Sequence, residues 1–229
     1  LSTFTKSVSM YDKLKKEIDM IRASEEGTVE LLVAYDILRY LTPDCILEFQ
    51  KKYPNVTFSY MEYPDRIVEK MLLDKEGNVA LSIGPFAGDC FDMKSLKKCS
   101  LGLLVYEEHS LAKKREATIL DLEGEPLYLE NSSFKLNEFI QSRCWNRGFE
   151  PDIVFETNGF DLCYKMCRLK RGISVTIDFV HEDMNTEGLV MIPFAEDDMI
   201  WEIGLLTLKD RAMESSVEKF YKYIENYNN

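Results

Sequence analysis

Between residues 27 and 84 one unit runs twice: a short apolar strand followed by a helix that a proline opens, with a third strand closing the stretch. Residues 29–34 are apolar apart from Glu30, and Leu41, Cys45, Phe49 and Tyr53 recur at helical spacing about the Thr42-Pro43 start. Val56, Phe58 and Tyr60 then alternate with Thr57 and Ser59 as a strand does. Ile67, Val68, Met71 and Leu72 mark a second helix before a strand over 79–83. Strands alternating with helices pair in parallel, and such a sheet gathers its ligand site where strand C-termini meet helix N-termini. The order of elements alone makes the chain a candidate binder.

Beyond residue 84 the alternation resumes. Strands are expected over 101–106, 127–130, 153–156, 172–177, 189–193 and 201–208. Leu136, Phe139, Ile140 and Cys144 fall on a helix that Asn131, Ser132 or Ser133 caps and Gly148 closes. Another helix spans 159–170, and a last one, bearing Val217, Phe220, Ile224 and Tyr227, follows Ser215 and Glu218 at capping-box spacing. The first twenty-five residues differ: Tyr11, Leu14, Ile18 and Ile21 make a narrow apolar seam on a charged helix. Such a seam suits a partner helix, or lies back on its own domain; both readings stay open on the pattern.

Composition removes several function classes. The 40 acidic residues against 28 basic ones leave a formal charge of −12, and DNA affinity rests on neutralising phosphates, so the chain by itself is not expected to hold DNA. No apolar run approaches the ~20 residues of a spanning helix. The start Leu1-Ser2-Thr3-Phe4-Thr5 has neither a basic nor an apolar export region, which points to a cytoplasmic chain cut from a longer parent. The six cysteines form no C-x-x-C pair, and His109 and His181 lie far from them, so no metal is expected. Cys163 and Cys167 stand one helical turn apart and could pair, but two small apolar residues on a buried helix face are the better reading. Lys97-Lys98 and Lys113-Lys114-Arg115 read as solvated surface. With no G-x-S-x-G, P-loop or dinucleotide turn, neither catalysis nor a cofactor is expected.

The seam helix, Gly27, the first strand, Leu41-Thr42-Pro43, Phe49, Tyr53-Pro54-Asn55-Val56 and His109-Ser110-Leu111-Ala112 come in an order that resembles the linker helix and effector-binding domain of LysR-type transcriptional regulators. Leu122-Glu123-Gly124-Glu125-Pro126-Leu127 and Arg171-Gly172-Ile173-Ser174 fit the same pattern. The resemblance implies an α/β, two-lobed, periplasmic-binding-protein-like (type 2) fold with two crossover strands. Carried over, residues 1–26 form the linker and dimerisation helix, 27–103 and 201–229 lobe I, and 104–200 lobe II. It further implies a small-molecule effector held between lobes, a homodimer or homotetramer, and DNA contact only through an N-terminal winged helix-turn-helix domain that this sequence lacks. The same fold also serves solute receptors of transport systems, and the codons upstream of Leu1 would separate the two.

Effector contacts carried over to this chain are Tyr35, Asp36, Ile37 and Leu38 after the first strand, Asp65 opening the second helix, Asn131, Ser132 and Ser133, and Asn158, Gly159 and Phe160. Asp36 and Asp65 stand where many relatives place hydroxyls, and Pro85 where some place a basic residue. Helix N-termini attract anions, but a local aspartate satisfies those donors and repels a second negative charge. An amphoteric or cationic effector is therefore expected over a simple anion. Asp36 and Asp65 read equally well as helix caps.

Overall fold

The computed structural model describes residues 27–86 and 89–227; the seam residues Tyr11, Leu14, Ile18 and Ile21 lie outside them. In lobe I, β1 (Thr28–Ala34) pairs in parallel with β2 (Thr57–Tyr63) and β3 (Val79–Gly84), and β9 (Ile200–Leu208) joins β3 antiparallel. In lobe II, β5 (Pro126–Glu130) pairs in parallel with β6 (Asp152–Thr157) and β7 (Ile173–Ile177). Residues 91–100 of the long β4 (Phe91–Tyr106) pair with β9, whereas residues 101–106 pair with β7 and with β8 (Leu189–Pro193). β4 thus crosses between lobes, and β9 returns the chain to lobe I.

The burial of each strand follows its place. β3 and β7, with neighbours on both sides, are buried along their whole length, while the edge strands β2 and β6 are largely exposed or half-buried. Continuous apolar runs at the centre and mixed ones at the edges are what a sheet covered on both faces requires.

A short α1 (Ile37–Leu41) precedes the helix expected to open at Thr42-Pro43, which forms as α2 (Asp44–Lys52); the two part at Thr42, whose φ is +56°. A residue before proline is pushed out of the right-handed helical region, so Pro43 ends α1 and opens α2. α3 (Asp65–Leu73) and α4 (Lys135–Asn146) follow. α5 (Phe160–Cys167) is shorter than expected, and α6 (Asp178–Asp183) follows β7 directly. α7 (Ser215–Tyr227) packs Val217, Phe220 and Ile224 inward, and its Ser216 hydroxyl donates to the Thr28 carbonyl at 3.1 Å. Phe220 meets Phe49 edge to face at 5.0 Å, joining α7 to α2.

One further expectation shifts. Asn131, Ser132 and Ser133 do not cap α4: its N-cap is Phe134, and the Asn131 side chain instead accepts from the Ser133 N–H at 2.8 Å. His109 is buried, accepting from the Leu111 N–H and lying 3.3 Å from Glu125. Among the described residues no helix is long and apolar enough to cross a membrane.

Candidate functional site

Parallel strands of both lobes end at one junction. β1 ends before Tyr35 and Asp36, β2 before Asp65, β5 at Glu130, β6 before Asn158 and Gly159, and β7 before α6. At their meeting lies a chamber of about 20 Å³, walled by Asp36, Asp65 and Glu130 and by the rings of Tyr35, Phe134, Phe160, Phe179 and Trp201. That volume accepts about one water. Adjoining it at Tyr35 and Asp36 is an open groove of about 510 Å³, bordered by Leu38, Arg39, Glu62, Asn158, Gly159, Asp161 and Asp183.

Ion pairs tie the lobes together on either side of the chamber. Lys135, the first residue of α4 in lobe II, is buried and reaches into lobe I, where its ammonium pairs with Glu69 and donates to the Ile83 carbonyl at 2.7 Å. Ser82 donates to the same Glu69 carboxylate at 3.0 Å. The backbone N–H of Lys135 donates to Asp65 at 3.0 Å, so an aspartate of lobe I caps a helix of lobe II. Arg66 pairs with Glu138 nearby. On the other side Arg39 of α1 binds Asp161 at 2.9 Å and Asp183 at 2.6 Å, on α5 and α6, while also holding Asp36.

The carboxyls of the chamber have unequal surroundings. Asp36 sits at the N-cap position of α1 with φ +68°, yet makes no side-chain cap; its carboxyl goes to Arg39, and burial raises its pKa against that pull. Burial pushes Asp65 up to about 6, with Lys135 acting in the opposite direction. Glu130 is 3 % exposed, no partner among the described residues meets its Oε1, and burial together with the charges of Asp36 and Asp65 holds its pKa well above the usual carboxylate range. Trp201 Nε1, also in the wall, lacks a partner too. A buried polar atom without a partner costs about 1–3 kcal/mol, more when charged, so the chamber is built at some expense to stability.

The expected contact residues divide on inspection. Tyr35, Asp36, Asp65 and Phe160 line the chamber; Tyr35, Asp36, Leu38, Asn158 and Gly159 line the groove. Ile37 is fully buried beneath α1, and Asn131, Ser132 and Ser133 line neither space, although the Asn131 side chain donates to Asn158 at 2.6 Å. Glu130, Glu69, Lys135 and Arg39 were not anticipated. The sequence does carry one clue, a lone carboxylate ending the apolar run Pro126-Leu127-Tyr128-Leu129-Glu130.

Cys163 and Cys167 are buried and unpaired, and burial raises both thiols, Cys163 to about 11. A thiol so placed is a poor nucleophile at neutral pH. Among the described residues no group of three or more His, Cys, Asp or Glu side chains is placed to hold a metal ion.

Similarity to known proteins agrees with this architecture. YwbI of Bacillus subtilis (strain 168), an uncharacterised HTH-type transcriptional regulator, is 25 % identical over 185 residues, 81 % of this chain and 62 % of the relative. The chain thus spans less than two thirds of that regulator's length. The BenM effector-binding domain with its effector benzoate superposes with a TM-score of 0.73 at 18 % identity, covering 87 % of this chain and 91 % of BenM's. The effector-binding domain of QuiR in complex with shikimate gives 0.74 at 18 % identity, covering 89 % and 97 %. The family model of the LysR substrate binding domain matches residues 22–228, and the chain belongs to that family.

Proposed function

We propose that this chain is the effector-sensing part of a LysR-type transcriptional regulator, coupling a small molecule bound between its lobes to subunit arrangement and to DNA binding by a domain outside this sequence. One observation carries the reading: strand C-termini from both lobes meet around a chamber whose buried Glu130 has an oxygen without a partner. A parallel α/β sheet presents ligands at that end. Tyr35, Asp36, Leu38, Asp65, Asn158 and Phe160 are the proposed contacts, with Ile37, Asn131, Ser132 and Ser133 supporting them from behind or beside. We take residues 27–103 and 201–229 as lobe I and 104–200 as lobe II; the change of partners along β4 at Ser100 and Leu101 supports a boundary close by. The proposed assembly is a homodimer or homotetramer in the cytoplasm; the reading of residues 1–26 as its linker lies outside the described residues. The family match gives the transport reading no support, and the relatives are regulators rather than enzymes.

The effector is amphoteric or cationic. BenM and QuiR hold carboxylates, benzoate and shikimate, but here Asp65 already occupies the α4 N-terminus that would receive an anion. A melting screen of amino acids, amines and carboxylates tests this, because a ligand at a hundred times its Kd stabilises by about 2.7 kcal/mol. The compound that raises the melting temperature should also change the DNA affinity of the longer regulator. A ligand that stabilises the domain and leaves DNA affinity untouched would sink the regulatory reading.

A further inference from the structure

Three features of the junction point the same way. Glu130 is 3 % exposed with an oxygen that lacks any partner, and it lines the chamber rather than the protein core. Around it stand five aromatic rings, those of Tyr35, Phe134, Phe160, Phe179 and Trp201, whose negative faces attract a cation that has shed its water. Outside, the groove carries Asp36, Glu62, Asp161 and Asp183 against one cation among the described residues, Arg39. Arg39 is already shared among three of those carboxylates, so it offers no free place for an anionic group.

A carboxyl buried without a counter-ion is a costly arrangement that a positively charged ligand relieves. The small chamber suits a single ammonium head rather than a bulky one, and the excess of carboxylates in the groove suits a second positive charge at the other end. Resting on the sensor reading above, we propose that the effector is a linear aliphatic diamine or polyamine, with one terminal ammonium against Glu130 and the aromatic walls and the other beside Asp161 and Glu62. Glu130 is then the residue that selects charge. An amino acid is a poorer fit, since its carboxylate would meet the acidic groove. The Trp201 N–H finds no partner in an ammonium and is left to water.

The test is calorimetric titration of the 229-residue chain with 1,4-diaminobutane, 1-aminobutane, L-lysine and benzoate in moderate salt, on the wild type, Glu130→Gln and Asp161→Asn. The diamine is expected to bind best, and Glu130→Gln to weaken it at least about tenfold, equal to about 1.4 kcal/mol. The amide keeps the shape of a carboxyl whose burial favours its neutral form, so Glu130→Gln should melt no lower than the wild type. Asp161→Asn should erase the preference for diamine over monoamine and leave monoamine binding intact. No diamine binding, or equal affinity in wild type and Glu130→Gln, overturns the proposal; the latter marks diffuse attraction to an acidic protein. Binding of benzoate in place of the amines also overturns it, but leaves the sensor reading standing, which the DNA-affinity experiment addresses separately.

Discussion

Lys135 shows how one residue couples two lobes. Its ammonium and Glu69 are both nearly removed from water, and a buried charge without its partner costs far more than the intact pair contributes. Lys135→Met should therefore destabilise the chain by about 3–5 kcal/mol, and Lys135→Met with Glu69→Leu should recover most of that loss in denaturant titrations. Asp65 makes a pH prediction. Its ordinary pKa is about 3.9, and burial holds it at about 6 in the fold, with Lys135 and Glu69 as charged neighbours and the Lys135 and Arg66 backbone N–H groups donating to it. The folded chain then keeps this proton more tightly than the unfolded one, so the contribution is fully present below about pH 4 and disappears as pH rises through about 6. Glu130 and Asp36, also raised, act with the same sign. Stability from this cluster should fall between about pH 4 and about pH 6, and Asp65→Asn should flatten the fall, measured as urea midpoints at both values.

At the scale of elements, packing fixes what pattern leaves open. Phe49 of α2 is fully buried against Phe220 of α7, Tyr53 and Phe58. Phe49→Ala should cost about 3–5 kcal/mol in unfolding experiments. Gly102 of β4 lies where a Cβ would stand 2.4 Å from the Met191 Cε and 3.0 Å from the Ile192 carbonyl. Gly102→Val should cost about 1–3 kcal/mol, because the Ile192 carbonyl belongs to a paired strand and yields less readily than the Met191 side chain. The strands of both sheets were legible because central parallel strands need unbroken apolar runs. The first part of β4 was not: Asp92, Lys94, Lys97 and Lys98 interrupt its pattern, a register shift falls between Ser95 and Lys97, and its outer face stays partly wet. α6 escaped notice because its six residues carry too little periodicity. Asp36 and Asp65 were readable as positions after strands. What they do was not: Asp65 meets Lys135 only because of how one lobe meets the other, and Asp36 turns to Arg39 three residues on, which itself reaches Asp161 and Asp183 across the junction.

For the whole molecule, the ion pairs across the junction describe closed lobes around a chamber that admits a single charged head and no more of a ligand. Binding must therefore open the junction, and the free energy with which a ligand prefers the opened arrangement is what can bias subunits and DNA. Such coupling usually amounts to about 1–3 kcal/mol. The Asp161 and Asp183 ends of the Arg39 cluster are exposed, so Asp183→Ala should change stability by less than about 1 kcal/mol while loosening α1 from α6. A second groove of about 750 Å³ runs over Phe86, Phe91, Met93, Phe139 and Ile200 and is the roomier of the two. It has no orphaned carboxyl, which is why the junction is preferred as the effector site. Hydrogen–deuterium exchange with and without a saturating ligand decides between them most directly. The account predicts altered protection in both lobes together, at the segments holding Asp36, Asp65, Glu130 and Gly159. Change confined to one lobe, or to the strand bearing Phe91 and Met93, would contradict it.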